Sequence, residues 1–462
     1  MNNFLIVGIV LLVAVALMFT NKKFLETVKN IFKIEELRKR IIYTVLLILV
    51  YRLGCHVVIP GIDPNVLRAG TDLANQMEEN SLLGLLNVFS GGAFANASIF
   101  ALGVMPYITA SIIIQLLGMM VPAVQKVMKE GESGRRKINN WTRLLTIGVL
   151  ALQGPAYMAN LHNQVPAAAF NAFGGISEFW IAVYATIVLI AGTMFVVWLG
   201  EKITDKGIGN GVSLIIMIGI VARLPHALMT ELTASMGSTG SLIMVIVELV
   251  VLFAIFMATI AVVQAVRKIP VQYAKRIVGN KQYGGVRQYI PLKMNAANVM
   301  PIIFAQALMF IPMLFVNIAP GFAAAFADMT GFWYNFTFAV LVIVFTFFYT
   351  AIIINPQQMA DDMKRNGGFI PGVKPGKATV AYVDGILTRI TLPGSIFLAL
   401  VAILPAIAMK IGIQQSFAYF FGGTSLLIMV GVVLDTLQQI ESHLLNRHYD
   451  GLMKTGRIQG RH

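Results

Sequence analysis

The sequence predicts an all-α polytopic membrane protein on three observations: little charge, long apolar runs and basic residues confined to alternate loops. Of the 462 residues, 57% are hydrophobic and 12% are charged, and the mean hydropathy is +0.76. Soluble domains carry about a quarter charged residues, so this chain lacks the polar side chains that would cover a globule in water. The composition therefore excludes an ordinary soluble enzyme, a secreted disulfide scaffold and a disordered chain.

Ten strongly apolar runs predict ten transmembrane helices. Most of them reach the roughly 20 residues that a helix needs to cross hydrocarbon. Inside lipid every backbone group must be satisfied internally, and the runs lack the alternation of a membrane β-barrel. The runs lie at about 41–59, 97–121, 141–161, 178–199, 208–224, 241–264, 297–318, 332–355, 390–409 and 417–437.

A further apolar run at residues 4–19 belongs to an N-terminal extension, 1–21. Its length is marginal for a span. Lys22, Lys23 and Lys29 follow it, so an extra helix here would place the N-terminus outside. The alternatives are an interfacial segment, an uncleaved signal-like extension or a wrongly assigned start.

The basic residues predict which side each loop faces. If the segment before the 41–59 run is cytoplasmic, 31 of the 35 Lys and Arg fall in cytoplasmic segments. This asymmetry is a strong positive-inside signal. The net charge of +14 is therefore expected to be a cytoplasmic charge.

Two of these basic segments, 265–295 and 356–389, are longer than orientation requires. The first has seven cations and no Asp or Glu. Short alternating stretches on either side of Gly284-Gly285 predict a small β-hairpin in it. The basic loops either fix topology alone or form a docking surface for ribosomal RNA, an acidic motor protein or anionic lipid.

Motifs for catalysis or for binding a cofactor are not found. The single Cys55 excludes an internal disulfide, and six scattered His do not suggest a metal site. The stretch Gly372–Thr379 has three residues between its glycines, where a phosphate-binding loop needs four. We therefore expect no cofactor, no metal and no enzymatic activity.

Ionisable residues are rare inside the apolar runs, which argues against a solute transporter. Glu248, Arg52 and Asp435 are interpreted as paired or interfacial groups, with Arg52 snorkelling outward. Without an energy source of its own, a protein that moves something must be driven by another protein. A solute transporter and a membrane-embedded enzyme remain the alternative functions.

Segment 82–96 is apolar but too short to span, and it follows an acidic loop on the outer side. It is interpreted as a re-entrant or half-inserted helix, with an interfacial helix as the alternative. Irregular backbone at that depth requires burial in protein. The small residues Ser90, Gly91, Gly92 and Ala93 would permit close packing.

Six long motifs closely resemble the SecY family, whose members are central subunits of the bacterial protein-conducting channel. In order and spacing the resemblance covers about residues 30–445. The motifs are Ala101–Leu117, Gly207–Leu214, Arg267–Arg276, Asn355–Asp361, Leu387–Leu392 and Phe421–Ile428.

The resemblance implies two inverted five-helix halves around an hourglass pore, in the bacterial cytoplasmic membrane. The halves would be residues 22–226 and 227–440, followed by a cytoplasmic tail at 441–462. Unfolded secretory polypeptides would pass through the pore, and membrane segments would leave through a lateral gate. The implied partners are the small membrane subunits SecE and SecG, the motor ATPase SecA, the ribosome, signal sequences, nascent chains and lipids.

The resemblance also implies roles for particular residues. Segment 82–96 would be the plug segment, which closes the outer funnel. Bulky apolar side chains would form the pore ring: Val104, Ile108, Ile216, Ile220, Ile303 and Ile428. Polar side chains would lie at the lateral gate: Thr109, Gln115 and Asn295. Basic side chains would dock the ribosome and SecA: Arg267, Lys268, Lys275, Arg276, Lys374, Lys377 and Arg389.

Overall fold

The computed structural model describes most of the predicted spans. The described residues are 34–64, 87, 89–164, 170, 178–235, 241–273, 276–278, 281–283, 287–297, 299–309, 326, 328 and 330–455. The apolar run at 4–19 lies outside them. Its interpretation as an extra helix therefore stays a prediction.

The described chain is built from helices with one small group of strands. The helices are α1 (Glu35–Gly54), α2 (Met105–Met120), α3 (Pro122–Lys129), α4 (Glu132–Gln164), α5 (Glu178–Lys206), α6 (Gly211–Ser235), α7 (Ser241–Gln264), α8 (Met300–Leu308), α9 (Phe332–Ile353), α10 (Pro356–Arg365), α11 (Lys377–Ile411), α12 (Gln415–Ala418) and α13 (Gly423–Thr455). The strands are β1 (Val266–Tyr273), β2 (Arg276–Val278), β3 (Lys281–Tyr283), β4 (Arg287–Lys293) and β5 (Gly368–Phe369).

Seven helices of the described chain are long and apolar enough to cross a membrane, or eight if the bent pair α2–α3 counts as one span. The protein is therefore a multi-pass α-helical membrane protein, as the composition predicts. Each of the ten apolar runs contains a helix. Three of these helices fall short of a clear span: α1 begins with charged turns, α2 ends at Met120, and α8 ends close to residues 310–325, which lie outside the described residues.

Several helices begin at positions other than the apolar runs predict, and α2 and α11 are the two that carry predicted site residues near the difference. The 97–121 run is helical only from Met105, after turns over residues 98–104. Helix α11 begins at Lys377, well before the predicted 390, so Arg389 lies inside a continuous helix and not just before one. Hydropathy cannot detect this extension, because the added turns lie outside the apolar run.

The first compact unit comprises residues 1–229 and 432–462. In this unit α4 packs against α2 and α5, and α5 packs against α1. A buried apolar cluster joins α4 and α5 to the chain on either side of the plug segment, and it includes Ile59, Phe94, Tyr157 and Leu189. The described part of the plug segment is therefore part of the core of this unit.

The second compact unit comprises residues 230–431. Its helix α9 packs against α8 and α11. Strand β1 pairs antiparallel with β4 over Val266–Gln272, which confirms the predicted hairpin, and β2 pairs with β3 between them.

Strand β5, which the sequence did not predict, adds to the other edge of β1 through Gln272 and Tyr273. The two basic segments therefore share one structure, which we call the loop domain: β1–β4, α10, β5 and the first turns of α11. Its core is a single apolar cluster, composed of Ile269, Val271, Leu292, Met363, Ile370, Val383 and Leu387.

Candidate functional site

The plug segment is held against the first unit through its backbone carbonyls. Tyr51 Oη donates to the carbonyl of Ser90 at 3.4 Å, and Arg52 Nη1 donates to that of Gly91 at 3.2 Å. From α4, Tyr157 Oη donates to the carbonyl of Phe94 at 2.9 Å. The carbonyls of Ser90 and Phe94 also accept backbone N–H groups of the plug turns, so the side-chain donors use the second acceptor position of each carbonyl.

The plug segment also bonds within itself. The side-chain oxygen of Asn87 accepts the Ala95 N–H at 3.1 Å, and Ser90 Oγ accepts the Phe94 N–H at 3.1 Å. The predicted helix over 82–96 does not continue past Phe89, because Gly91 and Gly92 adopt positive φ angles of 66° and 90°. Ser90 to Asn96 form turns, while residues 82–86 and 88 lie outside the described chain.

Two glycines let the plug segment touch helix α6. A Cβ built on Gly91 would lie 2.8 Å from Gly219 Cα, and one built on Gly219 would lie 2.9 Å from the carbonyl oxygen of Phe89. Carbon atoms do not normally approach so closely, so the contact depends on both residues lacking a side chain. The plug segment therefore packs against the turn of α6 that carries Ile216 and Ile220.

The other predicted pore-ring residues of this unit, Val104 and Ile108, lie at the start of α2, which also approaches the plug segment. Val104 is 5% exposed and precedes the first residue of α2, and Ile108 lies one turn further along that helix, half-buried. A Cβ on Gly103 would be 3.9 Å from Ser90 Cα, which places the start of α2 beside the plug segment. In the second unit, Ile303 is half-buried on α8 and Ile428 is buried near the start of α13.

The predicted gate residues differ in their local bonds. Thr109 is exposed and its hydroxyl donates to the Met105 carbonyl of its own helix. Gln115 donates to Ser111 Oγ, also on α2, at 3.4 Å. Asn295 is 2% exposed, and its Oδ1 has no hydrogen-bond partner among the described residues.

The predicted docking residues lie on the loop domain. Arg267 and Lys268 are exposed on β1, and Lys374 and Lys377 are exposed before and at the start of α11. Arg389 is exposed three turns into α11. Arg276 begins β2, and Lys275 lies outside the described residues.

Three residues that hold the plug segment were not predicted: Tyr51, Arg52 and Tyr157. Arg52 is interpreted from the sequence as a paired or interfacial group, and its guanidinium donates to the Gly91 carbonyl. Its position inside an apolar run was the available signal, since a cation at that depth needs a partner. The two tyrosines carried no such signal.

Comparison with known proteins agrees with this architecture. The SecY family model matches residues 98–437. A protein translocase subunit SecY from Streptomyces scabiei is 43% identical over 437 residues, covering 92% of this chain and 98% of the relative. A protein of the same name from Aquifex aeolicus is 41% identical over 436 residues, covering 93% and 99%.

Solved structures share the fold at lower identity. A protein-conducting channel superposes with a TM-score of 0.56 at 18% identity, covering 88% of this chain and 92% of that chain. The yeast Ssh1 complex, solved bound to the yeast 80S ribosome, gives a TM-score of 0.55 at 14% identity, covering 87% and 89%. The family match and the identities above 40% along nearly the whole length establish that the chain belongs to the SecY family of protein translocase subunits.

Proposed function

We propose that this chain is the central pore-forming subunit of a Sec translocase in the bacterial cytoplasmic membrane. Unfolded secretory polypeptides cross through it, and membrane segments of nascent proteins leave sideways into lipid. The chain supplies the path, while SecA or the translating ribosome supplies the work.

The contact between the plug segment and α6 carries this proposal. A segment too short to span is buried in the first unit and touches the turn that carries Ile216 and Ile220. Its backbone is held by single hydrogen bonds from Tyr51, Arg52 and Tyr157. Each such bond contributes on the order of 1 kcal/mol, so release of the plug segment breaks few hydrogen bonds, and its main cost is the exposure of the buried Phe94.

The six apolar side chains assigned to the pore ring supply the seal. A hydrophobic constriction expels water and so blocks ions. Branched aliphatic side chains can separate around an extended polypeptide and close again behind it. Four of the six, Val104, Ile216, Ile220 and Ile428, are less than 10% exposed.

Thr109, Gln115 and Asn295 are assigned to a lateral gate. Polar contacts between membrane helices contribute on the order of 1 kcal/mol each, which is weak enough to allow opening. An apolar signal sequence would then partition into lipid through the gate.

The loop domain is proposed to face the cytoplasm and to dock the ribosome and SecA. Its exposed Arg and Lys side chains suit both phosphates and carboxylates. The fold is shared with the ribosome-bound Ssh1 complex, and 31 of the 35 basic residues fall on the side assigned to the cytoplasm. SecE and SecG are the small membrane subunits expected to accompany the chain.

Crosslinking to a stalled secretory chain tests this function. A photoreactive residue at Ile108, Ile216 or Ile428 should crosslink to a nascent chain held in the assembled channel. The matched control is the same residue at Leu144, which is 71% exposed on α4. Equal crosslinking at Leu144 and at the three ring positions would refute the pore assignment.

A further inference from the structure

The short connection between α5 and α6, residues 207–210, which we call the α5–α6 loop, is bonded to two helices that lie far from it in sequence. Thr44 Oγ1 of α1 accepts the backbone N–H of Ile208 at 3.1 Å. Gln439 Oε1 of α13 accepts the backbone N–H of Gly209 at 2.8 Å. All of these residues belong to the first unit, and the function proposed above assigns no role to the α5–α6 loop.

The first turn of α6 is fixed to the same loop. Thr204 Oγ1, in the last turn of α5, accepts the N–H of Gly211, which is the first residue of α6, at 2.9 Å. Asn210 Oδ1 accepts the N–H of Ser213 at 3.3 Å, which is the bond that an N-cap side chain makes. Helix α6 therefore starts at a loop whose backbone is held by side chains, and the loop sets the position of the helix.

Two glycines show how closely α1 and α13 approach the α5–α6 loop. A Cβ built on Gly207 would overlap Thr44 Oγ1. Gly209 has a φ of 83°, and a Cβ there would lie 3.0 Å from Thr436 Oγ1 on α13. The Thr44 side chain is held in its turn, because the residue is 8% exposed and its hydroxyl also donates to the Arg40 carbonyl at 2.9 Å.

The contact between α6 and the plug segment tolerates little movement of the helix. Gly219 and Gly91 meet with no room for a Cβ on either residue. Gly219 follows Gly211 by eight residues, which is about 12 Å along an α-helix. A shift of the α5–α6 loop would therefore reach the plug contact and the ring residues Ile216 and Ile220 through two turns of regular helix.

We propose that Thr44 and Gln439 are positioning residues of the pore, which act by holding the α5–α6 loop and, through it, α6. This inference rests on the proposed function, because it takes the ring residues of α6 and the plug contact at Gly219 as parts of the seal. The two side chains fix the loop, the loop fixes the first turn of α6, and the helix carries that position to the seal.

A role in folding alone would give a different result. Loss of a hydrogen bond that only stabilises the fold should lower the amount of folded channel, and the channels that fold should stay closed. Loss of a positioning bond should instead give folded channels that leak ions. Conductance therefore has to be measured per folded channel.

Ion conductance of the purified full-length channel, reconstituted with its copurifying subunits and without a secretory chain, tests Thr44. Thr44→Val removes the hydroxyl and should raise the conductance about two- to tenfold, the factor that one lost hydrogen bond represents. Thr44→Ser keeps the hydroxyl and should conduct as wild type. The matched control is Thr146→Val, which removes a buried hydroxyl that donates to the Thr142 carbonyl of its own helix and should leave the conductance unchanged.

Gln439 provides a second variant that changes an exposed side chain, so that folding is not at stake. Gln439→Leu removes the acceptor of the Gly209 N–H and should raise the conductance in the same direction. Gln439→Glu keeps an oxygen at this position and should conduct as wild type. The control is Gln438→Leu at the neighbouring exposed position, which should have no effect.

Combination with Gly219→Ala tests whether the effect of Thr44 passes through α6. Both substitutions disturb the same contact, so the conductance of the double variant should rise by less than the product of the two single factors. Single factors that multiply would show that Thr44 acts independently of the plug contact and would overturn the proposal.

The positioning role and the pore function can fail separately. If Thr44→Val and Gln439→Leu both conduct as wild type while a photoreactive residue at Ile216 crosslinks to a nascent chain, the positioning role is refuted and the proposed function stands. If the residue at Ile216 does not crosslink in a channel with Thr44 and Gln439 intact, the proposed function is refuted and this inference with it.

Discussion

Gly219 is the residue at which helix α6 and the plug segment come closest. A Cβ there would lie 2.9 Å from the Phe89 carbonyl oxygen, a backbone atom that cannot rotate away. Gly219→Ala should therefore displace the plug segment, at a cost of about 1–3 kcal/mol for the overpacked contact. The displaced fraction should rise by roughly tenfold for each 1.4 kcal/mol. Ion conductance of the reconstituted channel measures that fraction.

Gly148→Ala is the matched control for this substitution. Gly148 lies in α4 of the same unit, and a Cβ there would meet nothing within 4 Å. Alanine at this position should leave the conductance at the wild-type value and strengthen the helix slightly. Equal conductance in Gly219→Ala and Gly148→Ala would show that the plug segment does not depend on the contact.

At the scale of elements, the loop domain joins two segments far apart in sequence through one core. Ile269 on β1 is 2% exposed and packs in the cluster that holds Met363 and Leu387. Ile269→Ala should cost about 2–5 kcal/mol and should loosen both segments together. Limited proteolysis should then cut 366–376 faster, although the substitution lies in the other segment.

The exposed Val266 provides the control for that experiment. Val266 is 38% exposed at the start of the same strand, so Val266→Ala removes a similar amount of side chain without opening the core. If the protease cuts 366–376 at the same rate in Ile269→Ala and in Val266→Ala, the two segments are stable independently of each other.

The exposed cations of β1 give a prediction about docking. Replacing Arg267 and Lys268 by Glu should weaken ribosome binding. The dependence of log K on log salt should become shallower, by roughly 0.7–0.9 for each phosphate that is no longer neutralised. Lys410→Glu, at the far end of α11, should change neither quantity. If the ribosome affinity and the salt slope of the double variant equal those of the wild type, these cations serve only to fix the membrane topology.

At the scale of the whole molecule, the resemblance to the SecY family assigns Ile108 and Ile428 to the same pore ring. Ile108 belongs to the first unit and Ile428 to the second. Replacing both by Ser should hydrate the constriction and raise ion conductance well above the sum of the single variants. The control pair is Ile243→Ser with Ile411→Ser, at positions 70% and 60% exposed. If the conductance of the Ile108 and Ile428 double variant is no higher than that of the control pair, the assignment of these two residues to the pore ring is wrong.

The sequence by itself determined the class of protein, its apolar helices, the hairpin of the loop domain and the family. These features depend on patterns within short stretches: apolar runs, strand alternation and motifs such as Ala101–Leu117. The division into halves and the assigned ring, gate and docking roles stay predictions. They came from resemblance, and no observed contact tests them.

Only the tertiary structure decided which side chains meet. Arg52 and Gly91 are 39 positions apart, and Tyr157 and Phe94 are 63 apart, yet each pair is joined by one hydrogen bond. Strand β5 is only two residues long, and it forms because its backbone pairs with one edge of β1. Such contacts depend on how distant elements pack against each other, and neither periodicity nor composition records that arrangement.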